Sequence, residues 1–175
     1  MEVAQLEQRP MQRVKIGKVV INVGVGKSGE PLERAKKMLT SLTSMAPSIR
    51  KAKKTIRDFG IHKGEPIALT LTLRGPRALE MLKRLLIAKN MRVPGSSFDE
   101  NGGCSFGIKE HIDIPGTKYD PNIGIFGMDV CVQLEKPGYR VMRRRRARSK
   151  VGKKQRVSKE EAIQFFREVL KVEVV

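Results

Sequence analysis

Apolar and polar residues alternate along residues 18–25, and this period of two is typical of a half-buried β-strand. The apolar positions of one face are Val19, Ile21, Val23 and Val25. The opposite face carries Lys18, Val20, Asn22 and Gly24. We therefore predict a strand with one face in the core and one open, lightly polar face.

The same division recurs along residues 67–74. One face of this second stretch carries Ile67, Leu69, Leu71 and Leu73, and the other carries Ala68, Thr70, Thr72 and Arg74. If the two strands are neighbours, their open face presents Asn22, Thr70 and Thr72, which are neutral hydrogen-bonding groups. A plain solvated face in so charged a chain would carry more Lys and Glu, although Thr is also common on solvated strands.

Helical spacing of apolar residues follows each of these strands. Glu30-Pro31 opens the first helix, with proline at its start, and Gly75-Pro76 opens a second one that continues to about Asn90. Ser158 and Glu161 form a capping box ahead of a carboxy-terminal helix over residues 158–171. We predict an α+β fold: an antiparallel sheet with helices packed on one face and an open second face, together with basic extensions.

The remaining segments complete a single predicted domain over residues 1–175. Further strands are expected at 48–56, 105–113 and 126–134, and the first of these is strongly basic. Residues 1–13 show no clear period and are expected to form an arm. The glycine- and serine-rich stretch 93–104 is predicted to be a long loop.

The charge balance narrows the range of partners. Thirty-six Lys and Arg against 18 Asp and Glu give a formal net charge of +18, which favours a polyanionic partner such as nucleic acid. No apolar run approaches the roughly 20 residues of a membrane-spanning helix, so a membrane partner is not expected. Scarce aromatic residues argue against serial base stacking on a single strand.

A basic arm over residues 137–157 concentrates this charge. Nine Lys or Arg and no acid lie between Arg143 and Arg156, so the segment is expected to be poorly ordered when free and to lie against phosphate. Its predicted RNA contacts are Arg143, Arg144, Arg145, Arg146, Arg148, Lys150, Lys153 and Lys154.

Two alternative functions start from other residues. Gly26-Lys27-Ser28 resembles the end of a phosphate-binding loop, but that motif requires glycine at position 21, where Ile21 stands. His62 and His111 would be candidates for an RNA-processing enzyme, yet no nucleophile or carboxylate pair accompanies them. The other alternative is a non-catalytic protein that binds DNA or another nucleic acid through its basic arm. Two cysteines with no paired metal-ligand spacing indicate neither metal nor cofactor.

Several motifs together resemble the universal large-subunit ribosomal protein five family, which holds 5S ribosomal RNA. They are Ile21-Asn-Val-Gly-Val-Gly26, Lys51 to Phe59, Thr70-Leu-Thr-Leu-Arg-Gly75, Ser97-Phe-Asp, Gly103, and Ser105-Phe-Gly-Ile-Lys-Glu110. The resemblance covers roughly residues 10–170. Pro137-Gly-Tyr-Arg, the basic run and Gly152 to Ala162 are similar to the archaeal branch of that family.

The resemblance implies a cytoplasmic, non-catalytic protein of the ribosome's central protuberance. Implied partners are 5S rRNA, large-subunit rRNA, P-site tRNA, neighbouring ribosomal proteins of the protuberance, and a small-subunit head protein across an intersubunit bridge. In the family, the residues matching Asn22 and Thr72 contact RNA. The full set of predicted 5S rRNA contacts is Lys18, Asn22, Lys27, Lys51, Lys53, Thr70, Thr72 and Arg74.

The resemblance also implies a role for the loop between the second and third strands, about Ile56 to Glu65. It matches the family's loop that reaches the elbow of the P-site tRNA, and we expect it to be mobile in the isolated protein. Its predicted contact residues are Arg57, Asp58, Phe59, Gly60, Ile61, His62 and Lys63. One departure from the family stands just before the second strand, where Met45 replaces an RNA-contacting glutamine.

Overall fold

A computed structural model describes residues 10–117 and 119–175, so most of the predicted amino-terminal arm, 1–13, lies outside the described residues. The strands are β1 Lys15–Gly24, β2 Ser48–Lys51, β3 Pro66–Leu73, β4 Arg92–Val93, β5 Gly103–Ile108, β6 Met128–Glu135 and β7 Glu173–Val174. The helices are α1 Glu30–Thr43, α2 Pro76–Ala88, α3 Arg140–Arg143 and α4 Lys159–Glu168. These elements confirm the predicted α+β class.

Five strands form one antiparallel sheet in the order β2-β3-β1-β6-β5, which places β1 at its centre. Ile21 of β1 lies opposite Leu71 of β3 and Val130 of β6, and all three side chains are buried. Because the side-chain period of a strand is two, this register places the buried apolar residues of the three strands, such as Val19, Leu69 and Val132, on the same face.

The helices cover that apolar face. The stripe of α1 that includes Leu32 and Leu39 and the stripe of α2 that includes Leu82 and Leu85 are buried in the same hydrophobic cluster as the strands. Proline stands in the first turn of both helices. Backbone N–H groups there have no acceptor within the helix, so the N–H that proline lacks removes no helical hydrogen bond. Ser44 ends α1 in the left-handed conformation, with its N–H bonded to a carbonyl of the last turn.

Two predicted strands are shorter than expected. The strand predicted over 48–56 ends at Lys51, whose partner is Pro66, a residue with no N–H to continue the ladder. The strand predicted over 105–113 ends at Ile108, which pairs with Met128, the first residue of β6. Beyond these points the regular ladder gives way to isolated backbone bonds, such as those from the N–H groups of Ala52 and His111 to the carbonyls of Glu65 and Phe126.

The stretch 93–104 contains more structure than the predicted long loop. Val93 belongs to β4, which pairs in parallel with β7 near the end of the chain, and β5 already begins at Gly103. Between them Phe98 is buried and packs edge-to-face on Phe166 of α4, with 5.1 Å between ring centroids. Strands of two residues leave no periodic pattern in the sequence, so local periodicity does not predict this pairing.

The predicted capping box of the carboxy-terminal helix is confirmed, although α4 itself is shorter than the predicted 158–171. Ser158 Oγ accepts from the N–H of Glu161, and Glu161 Oε2 accepts from the N–H of Ser158. The other carboxylate oxygen of Glu161 lies 2.7 Å from Nζ of buried Lys136. One glutamate therefore begins the helix and also joins it to the end of β6.

The two faces of β1 predict opposite effects of neighbouring substitutions on stability. Ile21→Ala should lower the free energy of unfolding by about 2–5 kcal/mol, because it leaves a cavity in the core. Asn22→Ala should lower it by only about 0.5–1.5 kcal/mol, the net value of a hydrogen bond. Urea unfolding measures both. A larger loss for Asn22→Ala than for Ile21→Ala would show that the faces are inverted.

Candidate nucleic-acid interface

The face of the sheet opposite the helices carries rows of small, mostly neutral side chains. One row across all five strands consists of Ser48, Thr70, Asn22, Asp129 and Gly107. The next row consists of Thr72, Val20, Cys131 and Ser105. All of these residues are exposed or half-buried. The alternation of the strands thus brings Asn22, Thr70 and Thr72 together as predicted.

Asn22 is held in place and retains free donors. Its Oδ1 accepts from Thr70 Oγ1 at 3.1 Å, which fixes the orientation of the side-chain amide. Within the described part of the chain, the NH₂ group of Asn22 and the hydroxyl of Thr72 have no hydrogen-bond partner. A ligand on this face would therefore meet oriented donors that do not have to give up a bond within the protein.

Cations surround this neutral face. Among the residues predicted from charge, Lys27, Lys51, Lys53 and Arg74 are exposed and Lys18 is half-buried. None of the five belongs to an ion pair in the described ranges. Arg50 adds a cation that is not among the predicted contacts, although its position two residues after Ser48 places it on the open face, opposite Ala68.

A β-bulge anchors the basic arm to this face. The β1–β6 register shifts between Ile16 and Lys18, and an added Cβ on Gly17 would lie 2.4 Å from Cδ of Glu135. Glycine at this position leaves room for the buried Glu135 carboxylate, which pairs with Arg143 of α3. No sequence pattern indicates this pair, since a glutamate at a strand end is ordinarily solvated.

The basic arm is folded back on the protein, which differs from the predicted poorly ordered segment. Arg144 Nε and Arg148 Nε donate to carbonyls within the arm at 2.7 and 2.5 Å, and Gln155 Nε2 donates to Pro137 O and Met11 O. Val157 at its end is fully buried. A poorly ordered arm is expected from the sequence because its cations repel one another. Bonds from Arg144 and Arg148 to carbonyls of the arm, and the pair of Arg143 with buried Glu135, offset this repulsion.

Five predicted contacts of the arm remain available to a ligand. Arg145, Arg146, Lys150, Lys153 and Lys154 are exposed and make no side-chain hydrogen bond or ion pair within the described ranges. Arg143, Arg144 and Arg148 instead hold the arm in place. The arm therefore divides into cations that fold it and cations that point to solvent.

The loop between β2 and β3 is a closed hairpin with an apolar tip. Ala52 and Glu65 pair through their backbones at the base, and Ile56 and Ile61 pair nearer the tip. Arg57–Phe59 form a 3₁₀ turn that ends at Gly60 in the left-handed conformation, and the Phe59 side chain is 73% exposed. The predicted contact residues 57–63 thus form one projecting unit.

The Gly26 backbone and the Ser28 side chain bond to β3 and to the base of this hairpin. The N–H of Gly26 donates to the carbonyl of Ile67, and Ser28 Oγ donates to the Glu65 carboxylate at 2.7 Å. The Ser28 bond is the main reason that the pKa of Glu65 lies below its ordinary value. Since these donors are used within the protein, the segment cannot wrap a triphosphate.

The two histidines differ in environment. His111 is buried, its backbone N–H donates to the carbonyl of Phe126, and its ring Nδ1 accepts from the backbone N–H of Phe126 at 3.3 Å. Burial lowers the pKa of His111, so the neutral form is favoured. His62 is exposed on the hairpin between β2 and β3. His111 is therefore a structural residue.

The two cysteines are sheet residues. Cys104 is buried in the core, and burial together with the nearby Cys131 raises its pKa to about 12. Cys131 is exposed on the open face. Residues 10–117 and 119–175 contain no group of three or more His, Cys, Asp or Glu side chains that could hold a metal ion.

Two family models match this chain, and both describe the same ribosomal family. The model described as ribosomal protein L5 matches residues 9–62, and the model for the carboxy-terminus of that family matches residues 66–165. The chain belongs to the ribosomal protein L5 family. The two matches together take in the open face, the hairpin and the basic arm.

Close relatives cover nearly the whole chain. The large ribosomal subunit protein uL5 of Pyrobaculum aerophilum is 59% identical over 99% of this chain and 97% of its own length. The uL5 proteins of Sulfurisphaera tokodaii and Archaeoglobus fulgidus are each 50% identical, over 95% and 91% of this chain and 94% and 89% of their own lengths. These relatives confirm the predicted archaeal branch.

Family membership confirms four coarser predictions: a structural component of the large ribosomal subunit, a role in translation, a cytoplasmic location on the ribosome, and no enzymatic activity. As to membranes, none of the helices within the described ranges combines the length and apolar character needed to cross one.

His111 predicts a pH dependence of stability. The pKa of His111 is lower in the folded than in the unfolded chain, because burial disfavours the charged ring. The contribution of His111 to the free energy of unfolding is therefore fully present above the ordinary pKa of about 6.5 and is lost as the pH falls below that value. The free energy of unfolding should therefore fall between about pH 7.5 and pH 5.5.

His111→Asn is the matched variant, because Oδ1 of asparagine can accept the same N–H without titrating. Urea unfolding at the two pH values should show a smaller loss for this variant than for the natural protein. Equal losses would assign the pH dependence to other groups.

Proposed function

We propose that this chain binds 5S rRNA through the open face of its sheet and the cations around it, and contacts P-site tRNA through the hairpin between β2 and β3. The predicted 5S contacts are those given above, from Lys18 to Arg74. The observation that supports it best is the oriented amide of Asn22, whose NH₂ group has no partner in the described ranges and lies on a mostly neutral face bordered by cations outside any ion pair of those ranges.

The separation of neutral and charged groups supports RNA as the ligand of this face. Phosphate contacts position a nucleic acid, hydrogen bonds to base edges distinguish one sequence from another, and contacts to the 2′-hydroxyl distinguish RNA from DNA. Asn22 and Thr72 supply groups of the second kind, and Lys18, Lys27 and Arg74 supply groups of the first. RNA additionally offers a 2′-hydroxyl, which can donate and accept hydrogen bonds at such a face.

The exposed cations of the basic arm extend this surface toward further phosphates. We propose that Arg145, Arg146, Lys150, Lys153 and Lys154 contact 5S or large-subunit rRNA. The other members of the predicted arm set, Arg143, Arg144 and Arg148, act by holding the arm in position.

The hairpin serves a different partner. Its base is closed by backbone pairs and by Ser28, so the tip at Phe59 projects without being part of the core. An exposed aromatic ring can stack on an unpaired base or on the sugar edge of an RNA elbow. We propose P-site tRNA as this partner, and neighbouring ribosomal proteins and a small-subunit head protein as the partners of other surfaces.

The first test concerns the open face. Asn22→Ala and Thr72→Val should each weaken 5S rRNA binding by about 1–3 kcal/mol, because a hydrogen bond to the RNA is lost or a group is left unpaired. Titration of each purified variant with 5S rRNA measures the loss, with duplex DNA as a competitor to test the alternative of general nucleic-acid binding.

Thr40→Val is the matched control for that experiment. Thr40 is an exposed residue of α1, on the helix side of the sheet, and its hydroxyl is satisfied by the carbonyl of Lys36. It should leave 5S affinity unchanged. Full affinity in Asn22→Ala and Thr72→Val, or displacement of the RNA by duplex DNA at equal concentration, would contradict the proposal.

The second test concerns the hairpin. Phe59→Ala should leave 5S affinity within about threefold and weaken the retention of P-site tRNA on ribosomes assembled with the variant. Ile87→Ala is the control, since Ile87 is a 51% exposed apolar side chain on α2, far from the hairpin in sequence. A large loss of 5S affinity with normal tRNA retention would assign the hairpin to the other partner.

A further inference from the structure

A cavity of about 360 Å³ lies where the open face meets the folded basic arm. Lys18 and Gln133 line it from the end of the sheet, Asn101 from the loop before β5, and Tyr139, Lys150 and Arg156 from the arm. A cavity of this size falls within the range of sites that hold small organic ligands, roughly 300–1,000 Å³.

The charges of this cavity favour an anion. Lys18, Lys150 and Arg156 have no acidic partner in the described ranges. The one carboxylate of the lining, Glu135, is buried and is already paired with Arg143. Three unpaired cations around a small space provide a suitable environment for a phosphate group.

The remaining lining groups suit an aromatic base. Tyr139 is half-buried and offers a planar ring. Gln133 Nε2 donates to the carbonyls of Asn101 and Leu134, at 2.9 and 3.2 Å, so the amide is fixed and its Oε1 remains an acceptor. An aromatic ring beside a fixed amide is the combination with which proteins bind bases that have left the RNA stack.

We propose that this cavity receives one unstacked nucleotide of the bound RNA, with its phosphate on Lys18, Lys150 and Arg156 and its base against Tyr139 and Gln133. The inference rests on the proposed RNA-binding function and gives the arm a second role. Part of the arm distinguishes RNAs with an unpaired nucleotide from fully paired ones, while its outer cations act on phosphate alone.

The chain offers a direct probe, because Tyr119 and Tyr139 are its two tyrosines and it has no tryptophan. In Tyr119→Phe, all tyrosine emission comes from Tyr139, and stacking of a base on that ring would quench it. In the matched variant Tyr139→Phe, all tyrosine emission comes from Tyr119, which does not line the cavity. Its decrease on adding RNA measures the loss of signal caused by light absorption of the RNA and by effects remote from the cavity.

Both variants are titrated to saturation with 5S rRNA and with a fully paired RNA duplex of equal length, and binding is followed independently by filter retention. We expect 5S rRNA to quench Tyr139 more than the duplex does, and more than it quenches Tyr119. Equal quenching of both tyrosines, or equal quenching of Tyr139 by both RNAs, would overturn the nucleotide assignment alone. Failure to bind 5S rRNA would overturn the proposed function itself.

A pair of charge variants gives a second, independent result. Lys150→Gln with Arg156→Gln removes two cations of the cavity, and Arg145→Gln with Arg146→Gln removes two exposed cations outside its lining. The first pair should lower 5S affinity by about tenfold more than duplex affinity, as expected when a stacked base is no longer held. The Arg145→Gln, Arg146→Gln pair should lower the affinities for 5S rRNA and for the duplex equally. It should also reduce the slope of log binding constant against log salt concentration by about 0.7–0.9 for each phosphate that is no longer neutralised. Equal decreases for both RNAs in the first pair would overturn the assignment.

Discussion

The alternation of side chains along β1 is the constraint on which the rest of this fold depends. Because β1 pairs with β3 on one side and β6 on the other, its register decides which residues of all three strands face the helices. A shift of one residue would bury Asn22 and expose Ile21, at the cost of both a hydrogen bond and a core side chain. The same register aligns Asn22 with Thr70 and Asp129, so the folding constraint also builds the open face.

A large positive charge destabilises a compact state by self-repulsion, and this chain offsets it with a few well-placed acids. Buried Glu135, next to the bulge at Gly17, forms an ion pair with Arg143. Glu161 caps α4 and forms an ion pair with buried Lys136. Both pairs join residues that lie within the basic arm or close to its ends in the sequence. The arm can therefore remain dense in cations because its two ends are fixed by interactions that do not use its exposed side chains.

The periodicity of apolar residues predicts the central strands and the helices that cover them. It does not predict contacts between segments that have no local pattern. The strands around Ile21 and Leu71, the helices opened by Pro31 and Pro76, and the capping box at Ser158 each have a local pattern, and each is present. The β4–β7 pair and the Glu135–Arg143 pair join residues with no shared local pattern, so one sequence cannot reveal them. The strand limits at Lys51 and Ile108 depend on the partner strand, which a local pattern does not describe.

Asp129 indicates what kind of RNA surface the open face can accept. It lies in the row of Asn22 and Thr70, exposed and without an ion-pair partner in the described ranges. A carboxylate there repels phosphate and accepts hydrogen bonds from hydroxyl and amino groups. The centre of the face therefore suits sugar hydroxyls and base edges, and phosphates are favoured only at its border, near Lys18 and Arg74. An RNA bound in the proposed way would have to present a groove or a loop to the sheet, because a phosphate backbone laid across its centre would meet Asp129.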